Sequence, residues 1–289
     1  MAMFDRIVVV DWSANSVPKL GRDSIWIGLL DATGAESVTN LPTRRAAESF
    51  LVEHLGADRT ATTLVGVDFS LGYPAGTAAA LALEGTPWSA VWALLARCVT
   101  DDDRNANNRF AVAAELNRRM TGATSPFWGC PPAAANCHLG TTKPPDGTAL
   151  STFRATEQVL RDRGRRPFSS WQLLGAGAVG SQSLLGIPVL ERLRGRLGDR
   201  LQVWPFTTGF TSPALDAGVV VVAEVWPSMR DLGQRADEVR DAAQVGATAT
   251  WLAQVDASGE LDALFSPTVT GTVEAVSVAE EGWVLGVVP

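Results

Sequence analysis

The chain is short of the residues that most often announce an enzyme. In 289 residues it has two histidines, His54 and His138, one tyrosine, and three cysteines, Cys98, Cys130 and Cys137. So few histidines leave no persuasive Ser–His–Asp arrangement. Cys130, Cys137 and His138 are close in sequence, but a closed zinc site takes four ligands, and His54 lies far upstream in a predicted helix. They read as loop or buried thiols and a loop imidazole. An odd, sparse cysteine set fits a reducing compartment, so the cytoplasm is expected. No apolar run reaches the ~20 residues of a membrane span, and the opening residues lack the basic-then-apolar pattern of a signal peptide. Positive charge is also scarce: the formal net charge is −7. A protein that grips a phosphate backbone usually presents a basic face. The runs Arg161, Arg163, Arg165, Arg166 and Arg192, Arg194, Arg196 read as solvated helix faces, and the balance argues against extended nucleic acid.

What the chain does have is apolar strand material that ends in acids. It is 46% hydrophobic with ten tryptophans, enough for a full core. Ile7–Val10 is a run of branched aliphatics, the pattern of a strand buried on both faces. It ends in Asp11, and Trp12, Ser13, Ala14 and Asn15 follow. Thr63–Val67 repeats the arrangement and ends in Asp68, Phe69 and Ser70, with Gly72 and Pro74 forcing a turn. Gly218–Val225 is a third β-branched run, with Glu224 near its tip. If the first two strands are parallel neighbours, both aspartates emerge at one edge of the sheet. A buried carboxylate is expensive alone, so these acids require a cation, a metal or a proton.

Between and after these runs the reading is coarser. Ser24–Leu30 and Ser37–Asn40 read as strands, Thr43–Leu55 as a helix, and Leu201–Pro205 as a short strand. Residues 75–175 differ from the rest. Helical pieces at Thr86–Val99 and Asn108–Met120 are followed by a Gly-, Pro- and Cys-rich stretch, Thr121–Gly147, too long for an ordinary connection. They read as an inserted, mainly helical lid subdomain. Arg109 and Arg118 on its second helix can reach an anionic ligand, or can belong to an ion-paired outer face. A last helix, about Gln234–Gln254, carries a stripe of small residues, Ala242, Gly246, Ala249 and Ala253, that lets it lie close on a sheet. Asp241 near its start can point back at the strand tips, with Asp237 as its competitor. Acids at a helix start also suit the helix dipole. The apolar tail reads as an edge strand.

Asp11, Asp68, Glu224 and Asp241 together suit a hard divalent cation, Mg²⁺ or Mn²⁺, which takes oxygen ligands. Ions so held can activate water and stabilise a leaving oxygen in phosphodiester cleavage. Asp11, Asp68 and Asp241 would hold metal, Glu224 would bind a second ion or orient water, and Ser13 and Ser70 would bond ligand or backbone. Gly175–Gly180, GAGAVG, matches a dinucleotide fingerprint in letters but not in context. The preceding strand is weak and Pro188 is expected to interrupt the following helix. A hinge presenting backbone N–H groups to an anion is the better reading.

DWSAN on the first strand, VGVDFSLGYP, AEVWPS and DAAQVGATATWLA resemble a domain-of-unknown-function family of predicted nucleases with a ribonuclease-H-like fold. NRFAVAAELNRR and FWGCPP resemble that family's insertion. The resemblance covers residues 5–73 and 218–255 of the core. It implies a mixed five-stranded sheet of order 3-2-1-4-5 flanked by helices, and a carboxylate cluster for metal. The expected activity is metal-dependent phosphodiester hydrolysis of nucleic acid or of a small phosphorylated ligand. The alternatives are a phosphotransferase of the sugar-kinase and actin type, which shares the sheet order, and a non-catalytic small-ligand-binding protein.

Overall fold

A computed structural model describes residues 2–145, 150–175, 178–229 and 239–289. Among them six strands form one mixed sheet: β1 (Arg6–Asp11), β2 (Ile25–Asp31), β3 (Glu36–Leu41), β4 (Thr63–Val67), β5 (Leu201–Val203) and β6 (Val220–Glu224). Their order is β3-β2-β1-β4-β6-β5. β2 is antiparallel to both β1 and β3, whereas β1, β4, β6 and β5 run parallel. The five-strand expectation is therefore corrected to six. The short strand β5 adds a parallel edge outside β6, so β6 is an interior strand.

Helices cover both faces: α1 (Arg44–Ala57), α2 (Thr77–Ala80), α3 (Pro87–Cys98), α4 (Arg109–Met120), α5 (Ala155–Asp162), α6 (Val179–Leu197), α7 (Arg240–Ala257), α8 (Leu261–Phe265) and α9 (Gly271–Val276). The alternation of strand side chains divides the core in two. Val8, Val10, Ile25, Ile27, Val65, Val67, Val220 and Val222 face the side covered by α1, α3, α4 and α6. Ile7, Val9, Leu64, Val221 and Ala223 face the side covered by α7, α8 and the C-terminal segment. Residues of the 75–175 region, among them Trp92, Val112, Phe127 and Trp171, share the first core with the sheet.

The small-residue stripe of the last helix does what its spacing suggests. α7 lies across β1, β2 and β3, and a Cβ on Gly28 of β2 would come within 2.8 Å of the Val245 carbonyl oxygen. Gly246 and Ala249 are buried there. Two expectations are corrected. Pro188 lies inside α6 without ending it; that helix packs tightly, with a Cβ on Gly186 only 2.3 Å from Phe69. The tail is not an edge strand. It touches the sheet at one bridge, Val284 to Glu224, and its Trp283, Val284 and Leu285 are buried, because apolar residues here fill the α7-side core.

Candidate functional site

The parallel pairing of β1 and β4 sets Val10 beside Val67, so Asp11 and Asp68 leave the sheet next to each other at its carboxyl edge. By the alternation, both carboxylates fall on the α7 side, and the aromatics after them fall on the other. Trp12 and Phe69 are buried together in the first core, ring centroids 6.0 Å apart. This is the structural meaning of the repeated Asp-aromatic-Ser: the aromatic anchors the chain below while the acid is presented above. Ligand sites of open α/β sheets lie at this edge.

The two half-buried carboxyls are within hydrogen-bonding reach of each other. Asp68 also accepts from the Trp12 N–H at 2.8 Å. Burial, then the charge of Asp68, pushes Asp11 up to about 10; burial raises Asp68 to about 6 against the pull of its hydrogen bonds. At neutral pH the pair holds one proton. Asp241 adds repulsion to both.

Asp241 sits in the first turn of α7, and its carboxylate accepts from the Asp23 N–H at 2.7 Å. Asp23 is exposed, with a left-handed backbone (φ 55°), and its carbonyl accepts from Ser13 Oγ at 3.0 Å. The first-strand turn, the loop before β2 and the start of α7 are thereby tied together. Arg44, 1% exposed, fixes the turn from below: Nη1 donates to the carbonyls of Ser13 (3.0 Å) and Asn15 (2.8 Å), while Nε and Nη2 bind Asp101. Gln182 of α6 donates to the Trp12 carbonyl at 2.5 Å. The competitor Asp237 lies outside the described residues.

Glu224 borders the same cavity as the aspartates but does not pair with them. Its register partner is Val67, whose side chain faces the opposite side from Asp68. Both its oxygens bind the buried Arg154, at 2.7 and 2.8 Å, and it accepts from the Leu71 N–H at 3.2 Å. The cation required for this buried carboxylate is thus an arginine. Arg154 also binds Glu157 and the Glu281 carbonyl, and stays charged because Glu157 and Glu224 outweigh its burial.

A cavity of about 700 Å³ opens at this edge, lined by the polar Asp11, Asp68, Ser70, Glu224 and Asp241 and by the apolar Phe168, Val225, Trp226 and Pro227. A second, of about 420 Å³, lies beside the turn and is lined by Ser13, Ser16, Arg109, Ala178 and Ser181. Asp11, Asp23, Gln182 and Asp241 border both. Around the two cavities the structure therefore brings together Asp11, Asp68, Glu224, Asp241, Ser13, Ser70 and Arg109, with Glu224 held by Arg154. It leaves out Arg118, which is exposed on α4 and paired with Glu115 at 2.7 Å; its position points it to solvent. Cys130 is buried and Cys137 exposed, both free thiols.

The pair supplies only oxygen donors, the chemistry that hard divalent cations take. Among the described residues no three His, Cys, Asp or Glu side chains converge closely enough to enclose an ion. The four-carboxylate cage is therefore reduced to the aspartate pair with Asp241 beside it. Arg44, Arg154 and Asp23, absent from the sequence reading, are the residues that shape the site. Arg44 and Arg154 sat in charged stretches with no spacing that marked them as buried. Among the described residues no helix is long and apolar enough to cross a membrane. Comparison of the chain with family models, curated proteins and solved structures finds no match in any of the three.

Proposed function

We propose that the chain is a divalent-metal-dependent phosphodiester hydrolase, nuclease-like in chemistry, on a ribonuclease-H-like fold. The observation that carries this reading is the Asp11–Asp68 pair, two carboxyls forced together at the carboxyl ends of neighbouring parallel strands, at a cost that a cation would relieve. The order β3-β2-β1-β4-β6, with β2 antiparallel, supports the fold assignment, with β5 as an added edge.

Asp11 and Asp68 would hold Mg²⁺ or Mn²⁺, with Asp241 acting on the ion's outer waters; magnesium commonly keeps several waters. Bound there, the ion supplies a more acidic water and charge stabilisation for the phosphoryl oxygens. The protein's own residues orient and shield. The Trp12 N–H fixes one Asp68 oxygen. Ser70 offers a hydroxyl to the ligand, and the Phe168–Trp226 wall takes its apolar part and excludes water. Glu224, held by Arg154, is a positioning residue that secures the chain after Asp68 through Leu71.

Calorimetric titration of Mn²⁺ and Mg²⁺ into wild type and Asp11→Asn, paired with hydrolysis of bis(4-nitrophenyl) phosphate, tests this. Saturable heat and turnover in wild type, lost in the variant, are expected. Equal, negligible heats in both proteins would remove the reading. Stabilisation by ATP without diester hydrolysis would move the chain to the phosphotransferases.

A further inference from the structure

Arg109 lies at the head of α4 and is 8% exposed. A guanidinium so deeply buried is normally matched by a carboxylate. Here Nε donates to Ser181 Oγ at 3.0 Å, and Nη1 to Ser16 Oγ at 2.9 Å and Asn107 Oδ1 at 2.8 Å. All three acceptors are neutral. Nη2 donates to nothing among the described residues, and none of their carboxylates forms an ion pair with Arg109. The nearby Arg44 does not share this condition, because Asp101 takes two of its nitrogens. Among the described residues Asp101 pairs with Arg44 and acts on Arg109 only as a more distant charge, while the Phe110 ring centroid lies 4.3 Å from the Arg109 guanidinium carbon. Burial, then the Arg44 charge, lowers Arg109 to about 10, which leaves it a cation at neutral pH.

The smaller cavity in front of Arg109 has the other parts of an anion site. α6 is a 19-residue helix whose first turn borders it, and its N-cap residue, Ala178, makes no side-chain cap. The Gly180 N–H of that turn donates to the Gln172 carbonyl at 3.0 Å; the Val179 and Ser181 N–H groups have no acceptor among the described residues, and with the dipole they favour negative charge. On the facing wall, the backbone N–H groups of Ser13 and Ala14 have no acceptor among the described residues. The carboxylates that border this cavity, Asp11, Asp23 and Asp241, are those it shares with the larger one. They form the partition; Arg109, Ser16 and Ser181 belong to the smaller cavity alone.

We propose that the cavity between Arg109 and the first turn of α6 is a phosphate subsite, and that the ligand carries a second, terminal phosphoryl group beyond the ester placed at Asp11 and Asp68. The substrate class is then a small phosphodiester with a phosphorylated end, its apolar part against Phe168 and Trp226. The substrate assignment rests on the proposed diester chemistry; the anion site itself does not.

Inorganic phosphate is the probe. It is titrated into the full chain in EDTA and again with Mg²⁺, followed by calorimetry and thermal midpoint. Wild type should give saturable binding, weakened about tenfold or more in Arg109→Gln, since a charge-assisted hydrogen bond contributes about 1.5–3 kcal/mol. Ser16→Asp supplies the missing carboxylate beside Nη1 from an exposed position. It should raise the midpoint without phosphate and abolish the phosphate response. Equal phosphate affinity in wild type and Arg109→Gln, or an undiminished response in Ser16→Asp, overturns the subsite, as does the lack of saturable binding in either buffer. Phosphate binding in EDTA needs neither metal nor turnover. Loss of metal binding with an intact Arg109-dependent response therefore removes the hydrolase alone.

Discussion

Asp11 concentrates the energetic conflict of the site in one side chain. Its folded-state pKa lies far above the ordinary 3.8. The folded chain therefore keeps a proton that the unfolded chain releases. The stability this contributes is complete below 3.8 and is lost as pH rises, first through about 6 for Asp68 and then towards about 10 for Asp11. In EDTA, Asp11→Asn should match wild type near pH 4 and exceed it in thermal midpoint at pH 8. Saturating Mg²⁺ should reverse that order, and the chromogenic diesterase activity of the variant should fall by about a hundredfold or more. A midpoint difference independent of pH would show that no proton is shared. Arg154 is the opposite case, a buried cation among Glu157, Glu224 and Glu281. Arg154→Met should cost about 3–5 kcal/mol in urea unfolding, because it leaves carboxylates buried without their cation.

Among the elements, α7 and β2 are spaced by glycine. A methyl group on Gly28 would press on the backbone at Val245, whereas one on Gly246 would meet the end of the exposed Glu36 side chain. Backbone cannot step aside as a surface side chain can. Gly28→Ala should therefore cost about 1–3 kcal/mol and weaken Mg²⁺ binding by shifting Asp241, while Gly246→Ala should do neither. Chemical denaturation and calorimetry on the two variants check the contrast. The 13–15 turn depends likewise on Arg44 reaching up from α1. Arg44→Gln should speed amide exchange across residues 12–16 more than across β4, read by mass spectrometry.

The whole molecule places its two cavities against one partition at the carboxyl edge of the sheet, lined on one hand by residues of the 75–175 region and on the other by the start of α7. A cation held there binds the folded chain alone. At a free concentration a hundred times its dissociation constant, Mg²⁺ should add about 2.7 kcal/mol, a rise of about 4–5 °C in midpoint for a chain of this size. Differential scanning calorimetry across a magnesium series, with calcium as control, measures it.

The local pattern of the chain was enough to determine the strands at Ile7–Val10 and Thr63–Val67, the helices read at Thr43–Leu55, Thr86–Val99 and Asn108–Met120, and the acids at the strand ends; that Asp11 meets Asp68 needed the parallel pairing of the two strands. Branched aliphatic runs, helical spacing and strand-end acids are all properties of neighbours in sequence. Glu224 shows where that stops. It stands at a strand tip like the two aspartates, but one residue of register puts it on the other face, and register is a relation between strands. That its counter-charge is Arg154, that no carboxylate among the described residues forms an ion pair with Arg109, and that Pro188 is tolerated within α6 were decided by tertiary packing, because burial and charge balance depend on segments far apart in the chain.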